Sequence, residues 1–513
     1  MYRKLVINVT EPETRVALLE DGTMVELMIE RREDANIAGN VYKGKVCRVL
    51  PGMQAAFLDI GLNQSAFIHV NDLNTNNYKE TQDIFSEPKD AAVMLPEVGA
   101  SSGDEPVLSA YQSIEDIIRE GEEILVQVAK SPLGSKGARV TSHISLPGRF
   151  LVLMPGSDRI GVSRRIEDEH ERERLKEQVL SLSQGQMGYI VRTATEGIGA
   201  EKLAYEMGFL KNLWENIQIK FKTSTAPALL HKELSVSLRA VRDLLTHEAD
   251  KVIIDSCSEY ETVLAFLEGI MPSLKSSVEL YEGHEAIFDA FNLMGDISRA
   301  LNRKVWLKSG GYIVLEHTEA LMAIDVNTGR YVGKHNLEET ILKTNLEAVK
   351  EIAYQIRLRD IGGIIIIDFI DMEKKANQEK VFNALKGEMK KDKSKTHILP
   401  ISEMGLVQMT RKRIREPLPR VLCEPCYYCE GQGYLLSKRT ICYNIYRDII
   451  REGRDSMGGR IALRVNPLIA DLLHGEENYL IGSLERTVGK QIVIYPDEKF
   501  HLEQYDILEI LKQ

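Results

Sequence analysis

Apolar residues along this chain fall into three patterns, and each predicts a different kind of element. Between residues 3 and 34 they alternate with polar ones, as in strands with one buried face. Asp21-Gly22 separates Arg15-Val16-Ala17-Leu18-Leu19 from Met24-Val25-Glu26-Leu27-Met28, a tight hairpin signal. A lone hairpin has too little apolar surface to stand, so its partners are expected among the mixed helices and strands of residues 239–300. From Asn40 short strands follow one another with glycine punctuation: Val41 to Leu50, Ala55 to Gly61, Ser65 to His69, and again Glu123 to Val128. This pattern suits a small OB barrel, with Phe57 and Phe67 on neighbouring strands. The two rings are placed either to stack bases or to fill the core.

The third pattern is the continuous apolar run. Leu321-Met322-Ala323-Ile324 and Ile364-Ile365-Ile366-Ile367 each end directly in an aspartate, Asp325 and Asp368. Such runs read as strands buried on both faces, with the aspartates emerging at one edge of a sheet. Between them Leu342, Leu346, Val349, Ala353 and Ile356 mark one face of a helix over Leu337 to Leu358, expected to pack on that sheet. Two carboxylates brought together can hold a hard divalent cation, water and phosphate filling its other positions. Asn327, two residues past Asp325, falls on the same side of an extended segment and can orient Asp325 or a water. An aspartate after a strand also caps the next helix or turn, and a nearby asparagine also suits a turn.

Length and charge change this picture in two ways. With 513 residues the chain is too long for one core, so about three or four domains are expected. No apolar run approaches the ~18–20 residues of a membrane helix, and the start is unlike a signal peptide, so a cytoplasmic protein is expected. The net charge of −11 argues against a nucleic-acid partner until its placement is considered. Residues 71–123 carry 13 acidic against 3 basic side chains, and the rest of the chain is close to neutral. Residues 390–415 carry 8 Lys/Arg against 2 Asp/Glu, a candidate phosphate surface.

Further candidates are local. Gly188-Tyr189-Ile190-Val191 runs into Arg192-Thr193, where a guanidinium fork and a hydroxyl can grip a terminal phosphate or simply end a strand in solvent. Three of six cysteines, Cys423, Cys426 and Cys429, lie within seven residues, a spacing for zinc rather than for disulfides. A structural zinc wants four ligands, so a second copy of the chain is expected to complete the set, with Gly431 and Gly433 allowing the tight turn. Gly99 to Gly103 spells G-x-S-x-G, but no strand precedes it, and the nucleophile reading fails. No Walker loop, dinucleotide fingerprint or H-E-x-x-H is present, so no nucleotide cofactor is expected.

Ala323-Ile324-Asp325-Val326-Asn327, Thr344-Asn345-Leu346-Glu347-Ala348, Arg357-Leu358-Arg359-Asp360-Ile361-Gly362-Gly363 and Ile367-Asp368-Phe369-Ile370-Asp371-Met372, in this order, closely resemble the ribonuclease E/G family over nearly the whole chain. The resemblance implies a multidomain α/β and α+β architecture. An RNase H-like fold is expected in two parts, 1–38 and 238–300, without catalytic carboxylates of its own. Between them fall an S1 RNA-binding OB domain at 39–142, with an acidic insertion at 71–123, and a 5′-sensor region at 143–237. A DNase I-like catalytic domain at 301–420, a zinc link at 421–434 and a small C-terminal domain at 435–513 complete the chain. It further implies that Asp325 and Asp368 bind magnesium with Asn327 in support. Phe57, Phe67 and Lys136 would hold RNA, and Gly148, Val152, Arg192 and Thr193, with Lys395, would sense a 5′-monophosphate. Cys426 and Cys429 would share one zinc between two chains, giving a homodimer and, by further pairing, a tetramer.

The implied activity is magnesium-dependent cleavage of single-stranded RNA by attack of activated water, in rRNA maturation and mRNA decay. Three departures from the family pattern bear on it. The acidic insertion enlarges the S1 domain. Lys395 puts a point charge where the family's sensor has a bidentate arginine. The family's Cys-Pro-x-Cys is here Cys426-Tyr427-Tyr428-Cys429, with Pro425 displaced in front and Cys423 offering a competing pair. The alternatives are a non-catalytic RNA-binding or assembly factor that uses the barrel and basic run alone, and a phosphodiesterase acting on DNA.

Overall fold

The computed structural model describes residues 2–32, 37–73, 113–132, 136–166, 168–183, 187–245, 250–329, 337–413, 415–453 and 459–510. The G-x-S-x-G segment and most of the acidic insertion lie outside them. Two compact units divide the chain, residues 1–421 and 422–513.

The N-terminal hairpin forms as its pattern demands. Arg3–Val9, Glu13–Glu20 and Thr23–Arg31 pair antiparallel, and Asp21 and Gly22 take the positive φ values of 49° and 84° that the tight turn needs. Its missing support arrives from far along the chain. Lys4 to Ile7 pair in parallel with Lys251 to Ile254, which pair in turn with Val278–Leu280. Helices Val236–Leu244 and Cys257–Ile270 bury Val241, Val263 and Leu267 against this sheet.

The next sheet closes on itself. Val41–Leu50, Ala55–Asp59, Ala66–His69, Arg139–Thr141 and Glu123–Lys130 follow in order, and Glu123–Lys130 pairs back onto Val41–Leu50 to complete a barrel. Val46, Leu58, Ile68, Val126 and Val140 fill its interior. Ala228–His231 adds an outer strand on Val41–Leu50. A four-stranded sheet of Ile160–Val162, Gly188–Val191, Leu151–Met154 and Leu146–Pro147 is covered by helices Glu169–Ser183 and Ala200–Thr223.

The aspartate sheet has six strands in the order Lys304–Trp306, Tyr312–His317, Leu321–Asn327, Gly363–Asp368, Leu406–Arg411, Thr396–Ile398. Here the structure corrects the reading of continuous apolar runs as strands covered on both sides. Burial alternates along both strands: Met322, Ile324, Ile365 and Ile367 are buried, whereas Asp325, Ile364 and Asp368 are exposed, Ile364 by 49%. Helices Leu337–Leu358 and Lys375–Met389 cover one face, and their Val349, Ile352, Ile356, Val381 and Leu385 share a core with the buried set. The opposite face is open. The aspartates stand at or near the C-terminal ends of their strands, on the open face of the sheet. In the second unit Gln491–Pro496, Arg460–Val465 and Tyr505–Ile510 form a three-stranded sheet packed with helices Lys438–Gly453, Pro467–His474 and Asn478–Val488.

Candidate functional site

Leu321–Asn327 and Gly363–Asp368 pair in parallel with Asp325 directly opposite Asp368. Residues at the same register position share a face, so both carboxylates rise side by side from the open face. Asn327 donates from Nδ2 to Asp325 Oδ2 at 2.7 Å, which fixes that carboxylate's orientation. The Asp368 carboxyl is pushed above its ordinary range by partial burial, then by the like charges of Asp325 and Asp371. In the sequence Asp371 reads only as one more acid after a strand. Crowded carboxylates with an uncovered approach are the donor set a hard cation relieves. Among the described residues no group of three or more His, Cys, Asp or Glu is arranged to hold a metal. Asp325 and Asp368 could supply two carboxylates to such a cation.

Residues 359–362 link the helix Leu337–Leu358 to the strand Gly363–Asp368. Arg359 is buried and donates to Gln355 Oε1 at 2.6 Å and to the Asn302 carbonyl at 2.8 Å. Burial holds its guanidinium down to about 10, below the ordinary arginine range. Arg411 pairs across from Gly363, and its buried guanidinium binds Asp392 and Asp360 at 2.7 and 2.6 Å. Arg415 engages Glu26 and Asp360. Within the basic run 390–415, Arg411 and Arg415 are thus engaged in ion pairs within the protein.

On the barrel, Phe57 and Phe67 are opposite each other on adjacent strands, their rings edge to face with centroids 6.0 Å apart. Both are half-buried. Lys136 is exposed two residues before Ala138, whose carbonyl accepts from the Phe67 amide at 2.7 Å. Lys136 thus lies close in the chain to the backbone that pairs with Phe67.

Val152 lies in the four-stranded sheet, and Gly148, Arg192 and Thr193 lie just beyond the ends of its strands. Val152 pairs with Ile190, and Arg192 Nη1 donates to the Gly148 carbonyl at 2.5 Å and to Asp243 at 2.8 Å. Thr193 follows, exposed, at the start of a short 3-10 turn. Lys395 lies beside Thr396–Ile398 in the aspartate sheet, its carbonyl accepting from the Lys412 amide, and so belongs to a different sheet. Glu206 carries no local signal in the sequence. Only 3% exposed, it accepts from the amides of Arg149, Phe150 and Leu151 at 2.6, 2.8 and 2.8 Å, while burial pushes its pKa up. A Cβ on Gly148 would lie 2.7 Å from Glu206 Cδ, so this loop geometry requires glycine. No spacing rule links residues 148 and 206.

In the second unit Cys423 and Cys426 are exposed and Cys429 half-buried. Glu430, Gly431 and Gly433 adopt φ values of 50°, 82° and 81°, curling the chain so that the Gly433 amide donates to Cys429 Sγ at 3.3 Å. Amides of Cys429 and Tyr428, then the Cys429 thiol, draw the Cys426 thiol below its ordinary range. Tyr428 packs its ring on His501, 4.4 Å between centroids, and its hydroxyl accepts from the Leu502 amide at 3.2 Å, seating the turn on the loop between the last two strands.

Comparison with known proteins agrees with these parts. Residues 36–132 match the S1 RNA binding domain, 145–414 the Ribonuclease E/G family, and 425–510 the RNase E/G thioredoxin-like domain. Ribonuclease G of Escherichia coli K12 is 42% identical over 508 residues, 99% of this chain and all of the relative. Ribonuclease G of Haemophilus influenzae is 40% identical over 98% of this chain and 99% of its own. Ribonuclease E of Escherichia coli K12 is 34% identical over 99% of this chain but 46% of its own length. The chain most resembles the ribonuclease G members, and the non-catalytic alternative falls away. Matches over nearly the full length, spanning barrel, aspartate sheet and C-terminal unit alike, show that the chain belongs to the ribonuclease E/G family, as an endoribonuclease with an S1 RNA-binding domain.

Proposed function

We propose that this endoribonuclease is magnesium-dependent, cuts single-stranded RNA to leave 5′-phosphate and 3′-hydroxyl ends, and responds to a 5′-monophosphate, in rRNA maturation and mRNA decay. The observation that carries this reading is the facing pair Asp325 and Asp368 on an open sheet surface, with the raised Asp368 carboxyl. A divalent cation held there would polarise the scissile phosphate and acidify water. Asp325 and Asp368 supply the anionic seat, and Asn327 holds Asp325 in one orientation. Phe57, Phe67 and Lys136 would keep the strand extended across the barrel, by ring contact and charge.

Among the described residues the hydrogen bonds of the Arg192 side chain leave from Nη1. Its other nitrogens and the exposed Thr193 hydroxyl can meet a terminal phosphate, and Lys395 would add charge if the RNA spans both sheets. A short single-stranded RNA with a 5′-monophosphate is expected to be cleaved with Mg²⁺ and not with EDTA. The same strand with a 5′-hydroxyl should be cut more slowly, and Arg192→Ala should erase that difference. Equal rates with EDTA would refute the metal assignment.

We further propose a zinc-linked homodimer, able to pair to a tetramer, in which each chain gives Cys426 and Cys429. The N–H···S turn supports this pair over Cys423. Cys426→Ala with Cys429→Ala is expected to lower zinc content to near zero and halve the mass seen by light scattering. Cys423→Ala should leave both unchanged. The RNase H-like and DNase I-like assignments of the first and fourth sheets are part of the same reading, as is a cytoplasmic location. Among the described residues no helix is long and apolar enough to cross a membrane.

A further inference from the structure

The open face of the aspartate sheet carries an aromatic group that the reading above does not use. Trp306 is opposite Tyr312, and Tyr312 is opposite Asn327, so one row across three strands runs Trp306, Tyr312, Asn327. All three share the face of Asp325 and Asp368, because Val305, Ile313 and Val326 point into the helix-covered core. Two strand spacings put Trp306 about 10 Å from Asn327. Trp306 is 60% exposed, an unusual position for the largest apolar side chain. Its ring meets Tyr312 edge to face at 5.3 Å. The Lys304 ammonium sits 4.2 Å from the Trp306 ring centroid and 3.5 Å from that of Tyr312. Among the described residues Lys304 forms no ion pair with a carboxylate.

We infer that Trp306, propped by Tyr312 and Lys304, is a base-stacking subsite for a nucleotide of single-stranded RNA next to the bond being cut. The inference rests on Asp325 and Asp368 being the cleavage centre. An exposed indole gives a base a π-face whatever its identity, and the cation beside it faces the negative backbone. Tyr312 fixes the ring by contact, and the ladder to Asn327 fixes its distance from the carboxylates. The subsite would hold the strand extended across the sheet without reading sequence. Trp306 would thus be a positioning residue, felt in binding and KM and little in kcat.

The chain has only two tryptophans, which makes the test direct. In full-length Trp214→Phe protein, Trp306 is the sole indole, and a short 5′-monophosphorylated RNA is titrated in EDTA so that nothing is cleaved. Its emission should change and saturate at the Kd given by RNA anisotropy. Trp306→Ala in otherwise native protein should weaken that Kd about 5- to 100-fold, as loss of one stacked base does. With Mg²⁺ it should raise KM and nearly keep kcat. An abasic oligonucleotide should bind the native and Trp306→Ala proteins alike. Saturating anisotropy with unchanged Trp306 emission, or a Trp306→Ala Kd within twofold of native, overturns the subsite. Should Trp214→Phe perturb the fold, the native minus Trp306→Ala emission difference gives the same answer. The readout in EDTA is independent of the metal assignment. That assignment fails separately if cleavage survives the loss of the carboxylates.

Discussion

Asparagine at position 325 or 368 is expected to lower the cleavage rate by about 10³-fold or more while RNA affinity changes by less than about threefold. The substitution keeps side-chain volume and strand register, so the sheet should persist. What it removes is one of two facing charges. Partial burial, then the like charges of Asp325 and Asp371, oppose ionisation of Asp368, and a cation that needs both facing carboxylates loses half of its protein ligands. Binding should hold because the barrel rings and the sheet aromatics are untouched, and removing an anion near a polyanion does not weaken it. Initial rates on a single-stranded RNA in Mg²⁺ buffer, with anisotropy in EDTA, separate the two quantities. More than about a tenth of native activity in either variant would end the assignment of that residue. A thermal scan adds a second check. Mg²⁺ at ten times its Kd should stabilise the native chain by about 1.4 kcal/mol and the variants hardly at all.

The parts of this design that are local were legible in the sequence. Asp21-Gly22 specifies its hairpin by turn chemistry, and the single apolar face of Leu337 to Leu358 specifies a helix on a sheet. The two aspartates were legible as strand residues, and Asn327 as sharing a side with Asp325. What could not be read was which face of the sheet stays open. Ile364 to Ile367 is a run that suits a strand by χ1 restriction alone, whether or not each side chain is covered, so it looks doubly buried when it is not. Long-range contacts were equally silent. Glu206 under Gly148 and Trp306 in the row of Asn327 depend on packing and register that no local spacing encodes. Net charge misled in the basic run, because composition does not distinguish a solvated arginine from Arg411 at 5% exposure.

Arg411→Met is expected to destabilise the first unit by about 3–5 kcal/mol, far more than either aspartate variant. Burial opposes the guanidinium's charge, but the hydrogen bonds to Asp392 and Asp360 outweigh it and raise its pKa. Methionine fills similar volume and keeps strand propensity within reach, so the loss is that of the charge. It strands Asp392 in a buried site and removes the Arg411 clasp on Asp360, in the turn that leads into Gly363–Asp368. Because Gly363 is opposite Arg411 and Asp368 opposite Leu406 on the same ladder, slackening at the Arg411 end loosens the register that brings Asp368 to Asp325. Urea unfolding followed by tryptophan emission reports this unit, since Trp214 and Trp306 both lie within residues 1–421. Adding Asp392→Leu should recover part of the loss, because a buried pair replaced whole by apolar groups is close to neutral whereas a half-removed pair is not. A midpoint unchanged in Arg411→Met would mean that the buried ion pairs do not hold the turn. If instead the midpoint falls and the double variant regains it without regaining activity, the pair governs the placement of Asp368 beyond its contribution to stability.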